Sequence, residues 1–368
     1  MVVRVLVFAA GFVITLWTVV AAVRTVILPR SDQSLLSRIV FRSLRRVFRL
    51  VAGPGRSFDW RDRVMAYFGP VGLLALVVVW LSLVTAAFTL MFWAVEQNGW
   101  GSAYHESGSS LLTLGFAGVD GALLRTMAFV EAALGLALLA LLITYLPTLY
   151  GAFSRRETLV ALLEVRAGTP PSAVEMLLRF HRIGWTDRLS DVWTDWERWF
   201  ADVEESHTSY PVLTFFRSPQ ADRHWVTAAG TVLDAAALTL ASLDADRQPQ
   251  AALALRAGFI SLRRIADSFG IEYDPDPAPD DPISIARDEF DAALDALEAD
   301  GVALKPDREQ AWRDFAGWRV NYDSVLLDLA ELTMAPYAPW SSDRSAPRHR
   351  RPEVKRWGWR RNPSGIRQ

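Results

Sequence analysis

Three long apolar runs constrain the fold of this chain more than any other feature of its sequence. They cover residues 5–23, 71–95 and 126–150, and a single carboxylate, Glu131, interrupts the third run. An α-helix needs about 20 apolar residues to cross the roughly 30 Å hydrocarbon core of a bilayer, so each run is long enough to span a membrane. The sequence therefore predicts an all-α membrane protein with three transmembrane helices.

The distribution of arginine predicts how these spans are oriented. Residues 29–63 hold nine arginines, whereas residues 96–121 hold no lysine or arginine. Because short connections rich in Lys and Arg stay in the cytoplasm, we expect the first connection inside and the second outside. The protein is then a multi-pass protein of the plasma or inner membrane, with its amino terminus outside and everything after Tyr150 in the cytoplasm.

The first run, within residues 1–28, has an alternative interpretation as a cleaved signal peptide. Its apolar core exceeds the about 7 to 15 residues usual for a signal peptide, and cleavage would leave the arginine-rich connection outside. A retained helix agrees better with the charge distribution.

The connection over residues 29–68 is basic and amphipathic. Apolar residues recur at helical spacing between the arginines, on one side of the predicted helix: Leu36, Ile39, Val40, Val47, Leu50 and Val51. Two interpretations remain open. The helix either lies on the inner leaflet, where anionic lipids are its partners, or packs against cytoplasmic protein.

The second connection, residues 96–121, is rich in glycine and serine but contains the apolar core LLTLGFAG. Residues 103–112 are predicted to form a helix of about three turns that ends before Thr113. Non-helical backbone survives at membrane depth only where it is buried in protein or lines a water-filled path. A short helix there directs its partly negative carboxyl end at a cation, and the carbonyls that follow are able to replace the ion's hydration shell.

At this point the chain resembles the potassium channel family, in its bacterial two-helix type with one pore loop per chain. The family's T-x-G-[YF]-G filter has its counterpart in residues 113–117, which read TLGFA. The resemblance implies a pore module over residues 69–152, with an outer helix, a pore loop at 96–121 and an inner helix. It also implies a homotetramer, with potassium or another monovalent cation in the filter and no organic cofactor. The implied ion-binding residues are Thr113, Leu114, Gly115, Phe116 and Ala117.

The same resemblance assigns supporting roles outside the filter. Ser109 and Ser110 are expected to support the loop from the pore helix. Gly135 lies where the family places the hinge of its inner helix, and Pro147 is expected to kink that helix lower down.

Two residues depart from the family pattern. Ala117 stands in place of the second filter glycine, and Gly118 in place of the following aspartate. A left-handed alanine costs about 1–2 kcal/mol. Either the outer filter is reshaped, with Gly118 supplying the turn, or the ion sites are fewer. A glycine-rich external loop without a pore is the alternative interpretation.

Glu131 is the one carboxylate within a predicted span, and such residues usually indicate function. It is expected to support the filter through the serines of the pore helix, or to concentrate cations at the outer end of the pore. Pairing with Arg125 is the alternative, although an i, i+6 offset puts the two on different faces of one helix.

Residues 153–340 are acidic and helical. They carry 32 acidic and 18 basic side chains, whereas the tail from 341 to 368 carries nine basic and two acidic ones and is expected to be disordered. Strands do not alternate with helices and no G-x-G-x-x-G appears, so we predict an all-α bundle rather than a nucleotide-binding domain. The bundle is predicted to contain seven helices, at 155–166, 172–182, 187–206, 221–243, 248–269, 284–299 and 307–334.

Side chains able to support other chemistry are few. The chain has no cysteine. Trp193, Trp196 and Trp199 form a stripe that favours core packing, and the spacing of the histidines fits no metal-ligand set. We therefore expect no enzyme activity, no metal site and no nucleic-acid partner. The first hypothesis is a cation channel with a helical domain for gating or assembly; the second is a non-conducting membrane scaffold or sensor.

Overall fold

The structure is a computed structural model that describes residues 1–26, 35–53, 55–96, 99–245 and 248–345. These residues form α-helices and two short 3₁₀ turns, with no β-strand among them. Residues 29–34 of the basic connection and 346–368 of the basic tail lie outside the described residues. The helices are α1 Val2–Val26, α2 Leu35–Ala52, α3 Phe58–Ala66, α4 Phe68–Glu96, α5 Trp100–Leu111, α6 Ala122–Ala167, α7 Ala173–Arg182, α8 Leu189–Ser209, α9 Trp225–Ser242, α10 Pro249–Phe269, α11 Arg287–Ala299, α12 Arg308–Arg319 and α13 Asp323–Thr333.

Among the described residues, four helical segments are long and apolar enough to cross a bilayer: α1, the α3–α4 segment, α6 and α9. The first three contain the apolar runs predicted as spans. The fourth, α9, has 94% of its most apolar 18-residue window buried inside the protein, so core packing accounts for its apolar character. This composition is consistent with an all-α membrane protein.

Helix α1 packs closely along α4. Its buried face consists of small or hydroxyl residues, including Gly11, Thr15 and Thr18, and a Cβ added at Gly11 would lie 2.7 Å from Cγ of Met91. Small residues allow two apolar helices to approach in this way. The opposite face of α1 stays exposed, with Phe12 58% exposed, and is available to lipid.

The amino-terminal end of α4 is the junction with the rest of the chain. Phe68 is fully buried between Phe48 of α2 and Phe215 of the second 3₁₀ turn, with ring centroids 5.4 and 5.0 Å apart. Phe41 of α2 packs where Gly72 has no side chain. One side of α2 therefore packs against protein, which agrees with the interpretation of α2 as a packed helix. Its other side presents exposed apolar residues, as expected for a helix that lies on the inner leaflet. These residues are Ile39, Val47, Leu50 and Val51.

Helix α6 is one continuous helix of 46 residues that passes through Pro147. One expectation is wrong here: residues 155–166 are not a separate helix but the end of α6. The predicted domain boundary at 152/153 falls within this continuous helix and stays a prediction. The composition becomes polar at Ser154, but no residue between Gly151 and Gly168 breaks a helix. The helix ends at Gly168, whose φ of +80° suits glycine.

The remaining helices surround α9 and form a bundle, which we call the helical domain (residues 153–345). Trp193, Trp196 and Phe200 are fully buried in its core, which confirms the core interpretation of the tryptophan stripe. The single helix predicted over 307–334 is wrong, because α12 ends at Arg319 and α13 begins at Asp323. Between them, the side-chain amide of Asn321 donates to the carbonyls of Gly317 and Trp318 and competes with helical hydrogen bonding.

Candidate functional site

Helix α5 lies against both α4 and α6 and positions the residues of the candidate site. It begins after Gly99, whose φ is +92°, and its first residue, Trp100, stacks on Trp93 of α4 with ring centroids 4.4 Å apart. Its buried face holds small and polar side chains at helical spacing: Ala103, Glu106, Ser107, Ser109 and Leu111. A polar buried face requires partners on the neighbouring helices.

Ser107 joins α5 to both neighbours. Its hydroxyl oxygen lies 3.0 Å from the carbonyl oxygen of Thr85 in α4 and 2.5 Å from Oε1 of Glu131 in α6. Glu131 is fully buried. The predicted contact of Glu131 with the serines of the short helix is thus made through Ser107, and not through Ser109 or Ser110. Arg125 pairs instead with the exposed Asp120 at 3.6 Å.

Gly135 of α6 lies against the carboxyl end of α5. A Cβ added there would collide with the carbonyl oxygen of Leu111 and would lie 3.2 Å from its carbonyl carbon. The glycine therefore allows the backbones of α5 and α6 to touch. The structure gives this residue a packing role at the place where the sequence suggested a hinge.

The carboxyl end of α5 closes in a paired hydrogen-bond turn. The N–H of Thr113 donates to the carbonyl of Ser110 at 3.0 Å, and the N–H of Leu114 donates to that of Ser109 at 2.8 Å. This is the Schellman arrangement, with Thr113 in the left-handed position at φ +53°. A β-branched residue is uncommon there, which marks a strained position that the surrounding contacts hold.

Ser109 also orders the residues that follow. Its carbonyl oxygen lies 3.4 Å from the N–H nitrogen of Gly115, and its hydroxyl oxygen accepts the N–H of Ala117 at 3.1 Å. The φ angle is positive at Thr113 and Gly115 but not at Leu114. Such alternation turns successive N–H groups to one side of the chain.

The carbonyl groups of residues 113–116 are left without donors. Within the described parts of the chain, no hydrogen bond ends on these four oxygens. Leu114 and Phe116 are each 57% exposed, so the loop of residues 112–121 is uncovered in the single chain. An exposed apolar loop with unused carbonyls is suited to hold a cation once other protein surrounds it.

The two departures from the family pattern do not act as expected. Neither Ala117 nor Gly118 has a positive φ, so Ala117 is not strained and Gly118 does not supply a left-handed turn. The left-handed positions are Thr113, Gly115 and, where α6 begins, Gly121 at φ +100°.

A second group of polar contacts, which the sequence did not reveal, ties α6 to the helical domain. The Arg156 guanidinium is 1% exposed and donates to the carbonyls of Leu213 and Phe216 at 2.9 and 2.7 Å. It also lies 3.1 Å from Nε2 of His207. Since arginine only donates, Nε2 of His207 is the acceptor, and its Nδ1 faces the Ser206 hydroxyl at 3.1 Å.

The two buried histidines of this region are neutral. Burial, followed by the positive charge of Arg156, holds the pKa of His207 well below its usual value. Burial also lowers the pKa of His224, with Arg217 as the next cause. His224 caps α9, because its Nδ1 accepts the N–H of Val226 at 3.2 Å.

No metal centre was predicted, and the described residues contain no group of three His, Cys, Asp or Glu side chains able to hold an ion. The acids near the histidines have other partners. Glu204 pairs with Arg264, and Glu205 accepts from Ser209.

Comparison with protein-family models, curated proteins and solved structures gives no match for this chain.

Proposed function

We propose that this chain is one subunit of a homotetrameric cation channel, with potassium as the expected ion. The observation that carries the proposal is the loop after α5. Four of its N–H groups, those of residues 113, 114, 115 and 117, bond back to α5, and no described residue donates to the carbonyls of residues 113–116. Four such loops around an axis supply rings of carbonyl oxygens, which is how protein replaces the hydration shell of a cation.

The depth of α5 supports a re-entrant arrangement. The carboxyl end of α5 touches Gly135, which lies 13 residues after the first residue of α6. At 1.5 Å per residue this is about 20 Å along α6, well over half of a hydrocarbon core of roughly 30 Å. The ten residues from 112 to 121 cover that distance on the way back, and fully extended they reach at most about 35 Å. The ten residues are therefore long enough to return from the carboxyl end of α5 to the beginning of α6.

The exposed surfaces support the proposed assembly of several copies of the chain. Besides the loop, α6 presents a continuous exposed apolar face that includes Phe129, Leu136 and Ile143, with exposures of 73%, 57% and 68%. One pore loop does not close a ring, and the family resemblance implies four copies about a cyclic axis. Helix α1 packs mainly on α4 and only slightly on α6. Its outer face suits lipid.

The charge distribution orients the channel. The arginine-rich α2 and the helical domain meet at the amino-terminal end of α4, where Arg45 donates to the carbonyl of Leu332 at 3.0 Å. We place this end in the cytoplasm of a plasma or inner membrane, with the amino terminus and the 112–121 loop outside. Anionic lipids of the inner leaflet are partners for the exposed arginines of α2.

The test compares Gly115→Ala with Gly118→Ala in liposomes loaded with potassium or sodium. A Cβ at either position has open space, but only Gly115 has a positive φ, at +69°. We expect Gly115→Ala to reduce potassium flux at least about tenfold, because a left-handed alanine costs about 1–2 kcal/mol in each of four subunits. Gly118→Ala should conduct like the wild type.

The oligomeric state is measured on the same samples. A tetramer that conducts potassium and loses conduction in Gly115→Ala supports the proposal. Equal flux from the two variants would exclude residues 113–117 as the filter. A folded monomer or dimer without flux would favour the alternative of a non-conducting scaffold or sensor.

A further inference from the structure

A cavity lies where the apolar helices meet the helical domain. Its walls come from α1, α2, α4 and α6, from residues 209–215 and from the last residue of α10. Apolar side chains form most of the lining, among them Phe41, Leu76 and Val212. None of the described residues that line the cavity is acidic. The cavity therefore suits an apolar group and does not repel a negative charge at its edge.

The cavity is small. Its volume is about 80 Å³, whereas an apolar cavity that binds benzene measures about 150 Å³ and a pocket for a drug-sized molecule about 300–1,000 Å³. The free space is enough for a few methylene groups only. A ligand of this cavity is therefore part of a larger molecule, the rest of which lies outside.

The ends of the three apolar runs place the cavity at the edge of the hydrocarbon layer. Arg24 directly follows the first run. Leu73 and Leu76 lie within the first six residues of the second run, and Tyr145 lies within the last six of the third. Six helical residues extend about 9 Å. The cavity thus lies beside the lipid headgroups and the first carbons of the acyl chains, on the side that the arginines of α2 assign to the cytoplasm.

Two polar groups that line the cavity have no partner in the described parts of the chain. Tyr145 is 7% exposed, and its hydroxyl makes no hydrogen bond there. Buried hydroxyl groups normally have a partner. Arg24 is exposed, so the cavity reaches the surface beside it, and its guanidinium forms no ion pair with a described residue. By contrast, the hydroxyls of Thr25 and Ser37 are hydrogen-bonded to each other at 2.9 Å.

We propose that this cavity binds the upper part of one phospholipid from the inner leaflet, with an anionic headgroup at Arg24. The first methylene groups of one acyl chain fill the cavity, and the rest of the chain lies in the bilayer. An ester carbonyl of the lipid accepts the Tyr145 hydroxyl, and the phosphate accepts from the Arg24 guanidinium. The arginines of α2 attract anionic lipids in general, whereas this site holds a single lipid against α1, α4, α6 and the helical domain together. The lipid site does not require the chain to conduct.

The test counts lipids bound to the full chain. Protein purified in detergent and stripped of lipid is titrated with phosphatidylglycerol or with phosphatidylcholine, and native mass spectrometry reports the lipids retained per chain. We expect one phosphatidylglycerol per chain to bind more tightly than phosphatidylcholine. Arg24→Gln and Tyr145→Phe should each weaken this binding about fivefold, because each removes one polar contact. Val212→Phe fills the cavity and should weaken it at least about tenfold.

Arg46→Gln is the matched control for Arg24→Gln, because Arg46 is exposed on α2 and does not line the cavity. It should bind phosphatidylglycerol like the wild type. Equal weakening in Arg24→Gln and Arg46→Gln would assign the lipid to the basic surface of α2 and overturn the proposed site. Equal affinity for the two lipids would exclude a site for an anionic headgroup, and so would a chain that retains detergent only.

Thermal unfolding shows whether Val212→Phe is folded. A folded Val212→Phe protein that binds the lipid normally would refute the cavity as the binding site. If this variant does not fold, Tyr145→Phe decides, because it removes a hydroxyl that makes no hydrogen bond within the described chain; unchanged binding would then contradict the proposal. None of these measurements uses flux. A chain that binds the lipid as expected but does not conduct would refute the proposed function and leave the lipid site supported.

Discussion

Replacing Gly135 by alanine separates a packing role from a hinge role for this residue. A Cβ at Gly135 would meet backbone, the carbonyl oxygen of Leu111, and would also lie 3.1 Å from Cδ1 of the same residue. A carbonyl at the end of α5 does not rotate away like a flexible side chain. Since carbon contacts are most favourable at about 3.5–4.0 Å, α5 and α6 have to separate by roughly 1 Å.

The expected cost follows from two opposing effects. Overpacking of this size costs about 1–3 kcal/mol, whereas exchanging glycine for alanine inside a helix gains up to about 1 kcal/mol. Gly151→Ala is the matched control, because it lies on the same helix and its Cβ would meet only the end of Arg155, at 3.9 Å. Gly151→Ala therefore gains the helix propensity of alanine without the cost of overpacking. The two variants should therefore differ by about 1–3 kcal/mol, or roughly 5- to 150-fold in the equilibrium that holds α5 in place.

Thermal unfolding of the purified protein in detergent, followed by flux from liposomes, provides the measurement. We expect Gly135→Ala to melt below the wild type or close to it, Gly151→Ala to melt above it, and only the former to lose flux. If Gly135 serves as a hinge, both variants should be stabilised alike. A Gly135→Ala protein that melts with the control and conducts normally would refute the contact between α5 and α6.

Three further predictions concern the helical domain. Replacing Arg156 by methionine leaves the carbonyls of Leu213 and Phe216 without a donor and should cost about 3 kcal/mol, measured as a lowered melting temperature that the exposed Arg155→Met does not show. Because burial lowers the pKa of His207 and His224, both take up protons more readily unfolded. Stability should be complete above about pH 6.5 and fall below it, by up to about 1.4 kcal/mol per pH unit for each histidine. His207→Gln should reduce the slope of melting temperature against pH, and an unchanged slope would show that His207 is already charged when folded. Arg319→Met should destabilise by about 3–5 kcal/mol, because it leaves Asp234 and Asp323 buried without their cation; denaturant unfolding that matches the wild type would contradict this.

The helices that the sequence predicted best are those with one strong local signal. The three apolar runs lie within α1, α4 and α6, because an uncharged run of this length has few structures other than a helix. Likewise the short helix before Thr113 is present; it begins three residues and ends one residue before the predicted bounds. Each of these features is determined by residues that are close to one another in the sequence.

The pairings within the candidate site were less accessible to sequence reasoning. The sequence singles out Glu131 as an isolated carboxylate, but its contact with Ser107 depends on how α5 and α6 are placed, and the sequence does not distinguish among the four serines of α5.

The length of α6 shows a different limitation of sequence-based prediction. The change from apolar to polar composition near Ser154 predicts the end of a helix. The helix nevertheless continues, because none of the residues that follow disrupts helical backbone. Composition reports the environment around a helix, and α6 passes from one environment to another. Nothing in the sequence indicates that Arg156, at this transition, is buried, as it is in the structure.

The continuity of α6 has a mechanical consequence. At 46 residues the helix is about 69 Å long, and about 32 Å separate Gly135 from Arg156. A tilt of about 5° about the contact with α5 displaces Arg156 by roughly 3 Å, which is as long as its hydrogen bonds to residues 213 and 216. Those bonds therefore break, or residues 211–217 travel with the helix and pull Phe215 away from Phe68. Helix α6 acts as a lever whose short arm lies beside the 112–121 loop and whose long arm ends in the helical domain.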